Sequence, residues 1–234
     1  MAVAFDATAN GSGSAISSLT FAHTCTGSNL LLVVCVAWAD TSVSGASLTS
    51  ITYNGVALTQ YSSNGAGVGT NEVWYLIAPS TGAHNVVVTW TNVNPAEAPS
   101  TNGVAGSLSF TGVDQTTPLG TAAQATGSST TPSVTLTGAS ASNFVFDALL
   151  VSSAASAQPT ITVNASQVQR WQVKVGGAGF RIAGAGSTKA SAAGSVTMSW
   201  SLSAVRNWAT IAIEVLQVAA TPTNRLRSLM GVGT

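Results

Sequence analysis

Residues 30–38 read Leu30-Leu31-Leu32-Val33-Val34-Cys35-Val36-Ala37-Trp38, an unbroken apolar run. An extended chain turns successive side chains to opposite faces, so this run suits a strand covered on both faces. A second stretch, Val196-Thr197-Met198-Ser199-Trp200-Ser201-Leu202, is apolar at even positions and hydroxylated at odd ones. Its period of two predicts a strand with one buried and one wet face. Residues 84–91 share that period, with Val86, Val88 and Trp90 on one side. Ile51-Thr52-Tyr53-Asn54-Gly55-Val56-Ala57-Leu58 reads as a hairpin, because Asn-Gly accepts the positive φ angles of a tight type I′ turn.

Working outward, further strands are expected at 72–78, 103–110, 133–137, 143–151, 160–163, 168–175, 179–185 and 208–218. No amphipathic helix is expected; the Ala-rich stretch 183–193 carries too many Gly and Ser. Many short strands with polar turns predict an all-β antiparallel sandwich, a jelly roll, with two tandem sandwiches as the alternative. The chain divides into an N-terminal segment (1–14), the sandwich (15–218) and a basic C-terminal arm (219–234). A Thr-, Ser-, Ala- and Gly-rich linker at 115–131 separates two halves, about 15–114 and 132–218. Local echoes hint that the halves are related: Thr24–Asn29 and Thr137–Asn143 each lead into an apolar strand, and Val86–Thr91 resembles Ser195–Ser201.

Charge is scarce and sorted by sign. Asp6, Asp40, Glu72, Glu97, Asp114 and Asp147 face no Lys or Arg in residues 1–150, giving −6. Arg170, Lys174, Arg181, Lys189, Arg206, Arg225 and Arg227 against Glu214 give residues 151–234 a balance of +6. Such a split can be satisfied inside one fold or between copies. The basic residues are spread along the chain and the total is zero, so nucleic acid is not expected as a partner. No apolar run approaches the roughly 18 residues of a membrane helix, so no membrane partner is expected. The N-terminus lacks the basic start and apolar stretch of a signal peptide, which disfavours ordinary secretion. Ser, Thr, Gly and Asn make a surface that costs little to desolvate, suited to packing against other proteins. Cys25 and Cys35 fall out of register for a hairpin disulfide and are expected as free, buried thiols.

Enzymatic signatures are missing. There is no G-x-S-x-G, and a triad could draw only on His23 and His84, both read as structural. Two His and two Cys without close pairing give no zinc pattern, and no metal or cofactor is expected. The glycine-rich 176–186 fits neither dinucleotide- nor phosphate-loop patterns. Glu72, Asp147 and Glu214 are read as surface charges or partners of the basic half rather than a hydrolytic pair. The chain is therefore read as no enzyme. Trp38, Trp90 and Trp200 follow apolar faces into the core, whereas Trp74, Trp171 and Tyr61 are the candidate contacts for a sugar. In the arm, Arg225, Leu226, Arg227, Leu229 and Met230 form a basic-apolar patch able to grip a neighbour.

Three stretches carry a family likeness: residues 23–34 (HTCTGSNLLLVV), 73–76 (VWYL) and 110–120 (FTGVDQTTPLG). Over roughly residues 15–215 the chain resembles a β-sandwich domain of tailed-phage virion proteins. The motifs are turn and strand marks, with Gly27 and Gly112 where turns need positive φ. The resemblance implies a virion component assembled in the host cytoplasm. It would decorate the capsid or serve elsewhere in assembly, with other virion proteins and copies of itself as partners. The alternative is a carbohydrate- or receptor-binding module on a tail or surface appendage, its partner a host-surface glycan.

Overall fold

The structure is a computed structural model that describes residues 2–40, 45–67, 69–93, 101–153, 157–176 and 181–218. In the first half, β1 (Ala4–Ser14), β2 (Ser18–Cys25), β3 (Leu31–Ala39), β4 (Ser47–Tyr53), β5 (Val56–Ala57), β6 (Thr59–Ala66), β7 (Gly69–Ile77), β8 (Gly82–Thr91) and β9 (Asn102–Thr111) follow one another. They make a five-stranded sheet, β1-β9-β3-β7-β6, and a four-stranded sheet, β2-β8-β4-β5. The second half runs β10 (Ala123–Ser129), β11 (Ser133–Ala139), β12 (Phe144–Ser153), β13 (Ile161–Val163), β14 (Val168–Val175), β15 (Arg181–Ala190), β16 (Gly194–Leu202) and β17 (Arg206–Val215). Its sheets are ordered β10-β17-β12-β15-β14 and β11-β16-β13. Every ladder between these strands is antiparallel. The protein is all-β, with antiparallel sheets packed as a sandwich.

The two halves repeat each other strand for strand. Exchanging β1, β2, β3, β4, β6, β7, β8 and β9 for β10 to β17 in turn converts one pair of strand orders into the other, with β5 an extra. Backbone bonds fix the equivalence to the residue. Trp90 N–H donates to Ser17 O at 2.9 Å, as Trp200 N–H does to Pro132 O at 2.9 Å. Ala78 N–H donates to Leu30 O at 3.0 Å, as Ser191 N–H does to Asn143 O at 2.8 Å. Leu30 therefore corresponds to Asn143, Val34 to Asp147, and Trp90 to Trp200.

The two large sheets face each other, and each small sheet covers the far side of its own large one. Four layers result. Leu31, Val33, Cys35, Leu108 and Phe110 meet Phe146, Ala148, Ile211, Ile213 and Val215 at the centre. The other face of β3, with Leu32, Val34, Val36 and Trp38, packs on Ile51, Tyr53, Val86, Val88 and Trp90. All of β3 is buried for this reason, as is β12 after its first residue. At about 1.5–3 kcal/mol for each large apolar side chain fully buried, this double covering dominates the fold's stabilisation. Trp171 fills a slot at the centre. A Cβ at Gly106, Gly184 or Gly186 would come within 2.0, 2.9 or 2.2 Å of its indole, so the sheets approach only where these positions are bare.

The hairpin forms as read, with φ of 50° at Asn54 and 78° at Gly55. Gly27 and Gly112 likewise have positive φ, 91° and 69°. Cys25 and Cys35 are free and buried. Two expectations are corrected. The N-terminal segment is not outside the sandwich, because β1 pairs along β9. The stretch read as a linker contains β10, an edge strand on β17. What precedes it is also held. Asp114 N–H donates to Leu216 O (2.9 Å), Leu216 N–H to Pro118 O (2.8 Å), Gly120 N–H to Glu214 O (2.9 Å) and Val218 N–H to Gly112 O (3.3 Å). The crossing between halves is thus zipped to the end of the second half.

Candidate functional site

The carboxylates lie mostly inside, which corrects their reading as surface charges or partners of the basic half. Glu72 is 5% exposed, Asp147 fully buried and Glu214 5% exposed. Glu72 accepts from the indoles of Trp38 (2.9 Å) and Trp74 (3.0 Å) and from the Gln60 amide (2.8 Å). Asp147 accepts from Ser187 N–H (2.8 Å), Ser187 O–H (2.7 Å) and the Trp200 indole (2.6 Å). Burial pushes its pKa up to about 6, against the opposing effect of these donors. Glu214 accepts from Ser140 N–H (2.7 Å) and the Asn143 amide (2.9 Å). Asp114, half-buried, closes a turn by accepting from Thr116 N–H (2.8 Å) and Thr117 N–H (2.9 Å), which lower its pKa. All of these donors are neutral, so the sorted charges are not spent on ion pairs to these acids. Glu97 lies outside the described residues.

One constellation has the ingredients of a nucleophile site without its order. Asp6 accepts from the Ser109 hydroxyl at 2.6 Å, and from Thr26 N–H at 2.9 Å and the Thr26 hydroxyl. With its proton committed to Asp6, Ser109 must accept from His23 Nε2–H at 3.0 Å. His23 Nδ1 then accepts from the Ser107 hydroxyl at 2.7 Å. The imidazole is neutral, and burial holds its pKa down to about 4 against the pull of Asp6. Burial also acts on Asp6, but the bonds from Ser109 and Thr26 outweigh it and hold that carboxyl below its usual value. In a hydrolytic triad the carboxylate orients the histidine. Here it bonds a serine instead, and His23 (2% exposed), Ser107 and Ser109 are sealed from substrate. The row ties β1, β2 and β9 together, which is a structural role.

The candidate sugar contacts do not gather. Trp171 is 3% exposed between the halves, so the sequence-based expectation of a surface contact is corrected for it. Its position between Arg170 and Gln172 concealed that its face of β14 meets the opposite sheet. Trp74 is half-buried and tied to Glu72. Tyr61 is half-buried, donates to Gly120 O at 2.6 Å and meets the Tyr75 ring edge-on at 5.7 Å. Trp38, Trp90 and Trp200 are core residues, as read. Arg225, Leu226, Arg227, Leu229 and Met230 lie outside the described residues.

Two surfaces emerge that residue-by-residue reading missed. An open cleft of about 450 Å³ lies beside the Asn54–Gly55 hairpin, lined also by Thr52, Ala83, His84, Asn85 and Val87. The second feature is the outer face of each small sheet. Strands β2, β4, β5, β8, β11, β13 and β16 contain no Asp, Glu, Lys or Arg. Outward positions are Ser18, Thr20, Thr24, Thr52 and Thr89 on one side of the molecule, and Thr135, Thr137, Ser195, Thr197 and Ser201 on the other. Thr135 and Thr197 pair across strands with their hydroxyls 2.9 Å apart. Among the described residues, no three His, Cys, Asp or Glu side chains gather in a metal-binding group, and no helix is long and apolar enough to cross a membrane. Comparison with family models, with curated proteins and with solved structures finds no match.

Proposed function

We propose that the chain is a non-enzymatic structural protein of a tailed-phage virion, a capsid-decorating or other assembly component. The observation that carries this reading is the pair of charge-free, hydroxyl-lined faces on opposite sides of a four-layer body. Hydroxyl groups cost far less to desolvate than charges, so such faces suit close packing in an assembly. The family likeness of residues 23–34, 73–76 and 110–120 points the same way. Each half is further read as a jelly roll, since β1-β9-β3-β7 opposite β2-β8-β4, and their counterparts, interleave early and late strands as two Greek keys do. Antibody raised against the chain should label phage particles from the source culture in electron micrographs. Purified particles without the protein would overturn the proposal. The arm, residues 219–234, is proposed as the grip on a neighbour; a truncated protein that is incorporated normally would remove that part.

A second reading, a carbohydrate- or receptor-binding module, draws support from the cleft at Asn54, His84 and Asn85. Its lining, which mixes Thr52, Asn54, His84 and Asn85 with Ala83 and Val87, suits a neutral polyol. A glycan array on the intact protein tests it, and binding that survives Asn85→Trp would argue against this cleft.

A further inference from the structure

At one end of the β10-β17-β12-β15-β14 sheet, three basic residues share the face turned toward β11-β16-β13. Lys174 pairs with Ala183, which packs beside Trp200 and Trp208 on that face. Arg181 stands two residues before Ala183 on β15, and Arg206 two residues before Trp208 on β17, so both lie on the same face. Arg181 pairs with Ser153, and Asn207 with Ser152. The two arginines therefore flank Ser153 on adjacent strands, with backbones on the order of 10 Å apart.

Their hydrogen-bonding capacity is only partly used. Lys174 Nζ donates to Pro159 O at 2.7 Å, and Arg206 Nη2 to Ala157 O at 3.0 Å. Between those carbonyls sits Gln158, whose amide nitrogen and oxygen are both buried without a partner. The Nε atoms of Arg181 and Arg206 are also buried and unpartnered. Among the described residues, four of the eight side-chain atoms in this condition thus belong to Gln158 and to the two arginines at this end of the sheet. Among the described residues Arg181 makes no hydrogen bond or ion pair, and the carboxylates of Asp147 and Glu214 are occupied elsewhere. A cluster of buried, unpartnered donors carried largely by basic side chains suits an anion.

We propose that this corner binds inorganic phosphate. Arg181 Nε–H and Gln158 Nε2–H would donate to its oxygens, with Lys174 and Arg206 supplying charge. Gln158 Oε1 selects among oxyanions, because it needs a donor. Hydrogen phosphate carries an O–H at neutral pH, whereas sulfate has none. The inference stands apart from the virion reading and does not depend on it.

The test is calorimetric titration of the full chain with phosphate and sulfate at matched ionic strength, with thermal unfolding in parallel. Wild type is expected to bind phosphate at least tenfold more tightly than sulfate. At 100 times Kd its Tm should rise on the order of 5–10 °C above that in chloride. Both oxyanions stabilise proteins generally by exclusion, so the informative quantity is the loss of response in Arg181→Gln. That variant breaks no side-chain bond among the described residues and should keep its Tm in chloride. Gln158→Leu should abolish the preference for phosphate. No heat of binding, equal affinity for sulfate, or an unchanged response in Arg181→Gln would each overturn the proposal.

Discussion

The Trp200 indole donates to the buried carboxylate of Asp147 at 2.6 Å, while its counterpart in the other half, Trp90, has a buried indole N–H with no partner. Val34 stands where the second half has Asp147, and Val34 offers no acceptor. The two halves thus hold the same tryptophan, at the same point between their sheets, by different means. In one a carboxylate organises Trp200, Ser187 and, through Ser187, Gln167 (2.8 Å). In the other the packing of apolar side chains suffices.

Replacing Asp147 by Val copies the first half's solution but strands the Trp200 and Ser187 donors. Asp147→Val should cost about 3 kcal/mol, since each buried group left unpaired costs about 1–3 kcal/mol. In the double variant with Trp200→Phe, part of that cost disappears. Urea unfolding of the four proteins should give a coupling of about 1–3 kcal/mol. Simple additivity would mean the bond contributes little.

Protonation should act on stability in opposite directions at two sites. Asp147 has a folded pKa near 6, above its usual 3.8, so its contribution is fully present below pH 3.8 and fades as pH rises through 6. His23 has a folded pKa near 4, below its usual 6.5, so its contribution is present above pH 6.5 and fades as pH falls toward 4. Wild type should therefore change little in stability between about pH 4 and 6. His23→Gln should become more stable on acidification over that range, and Asp147→Asn less stable. Denaturation midpoints across pH check both signs, and parallel curves for the three proteins would refute the assignment.

A single methyl group in the central slot should be poorly tolerated. Gly106→Ala places a Cβ 2.0 Å from the Trp171 ring, and neither sheet can retreat without opening the other's core. A loss of about 3 kcal/mol is expected, or a Tm lower by roughly 10 °C. Thermal unfolding measures it directly.

Both thiols should be inert in the native protein. Cys25 and Cys35 are completely buried, and burial raises their pKa values, which leaves little thiolate. A thiol reagent at pH 8 should find neither of the two in the folded state and both in denaturant. Rapid labelling of the native protein would show that the region around one of them opens readily.

The strongly patterned strands were legible because their side chains report their surroundings. Residues 30–38 named a strand with cores on both faces, and Val196–Leu202 a strand with one. Strands β1 and β10 were not legible, because AFDATANGSGS and AQATGSS are edge strands of small residues with little apolar contrast. Their glycines are bare for a reason visible only in three dimensions: a Cβ at Gly11 would press on Phe21, and one at Gly13 on Ile16. The buried carboxylates were misread because their donors are far away in sequence, as Trp38 and Gln60 are from Glu72. Asp147 did carry a signal, standing alone inside the apolar run 144–151. Neither the cleft nor the corner around Arg181 was legible, since each is assembled from strands separated by many residues.

The zipped crossing has a mechanical consequence. Tension applied to the chain beyond Val218 arrives first at the bonds joining Glu214–Val218 to Gly112–Gly120. Those bonds lie side by side along antiparallel segments and are loaded together in shear, rather than peeled one at a time from the edge of a sheet. The load then passes to the junction of the halves, near the middle of the chain. A pull on the tail is borne by the whole four-layer body and not by its last strand alone.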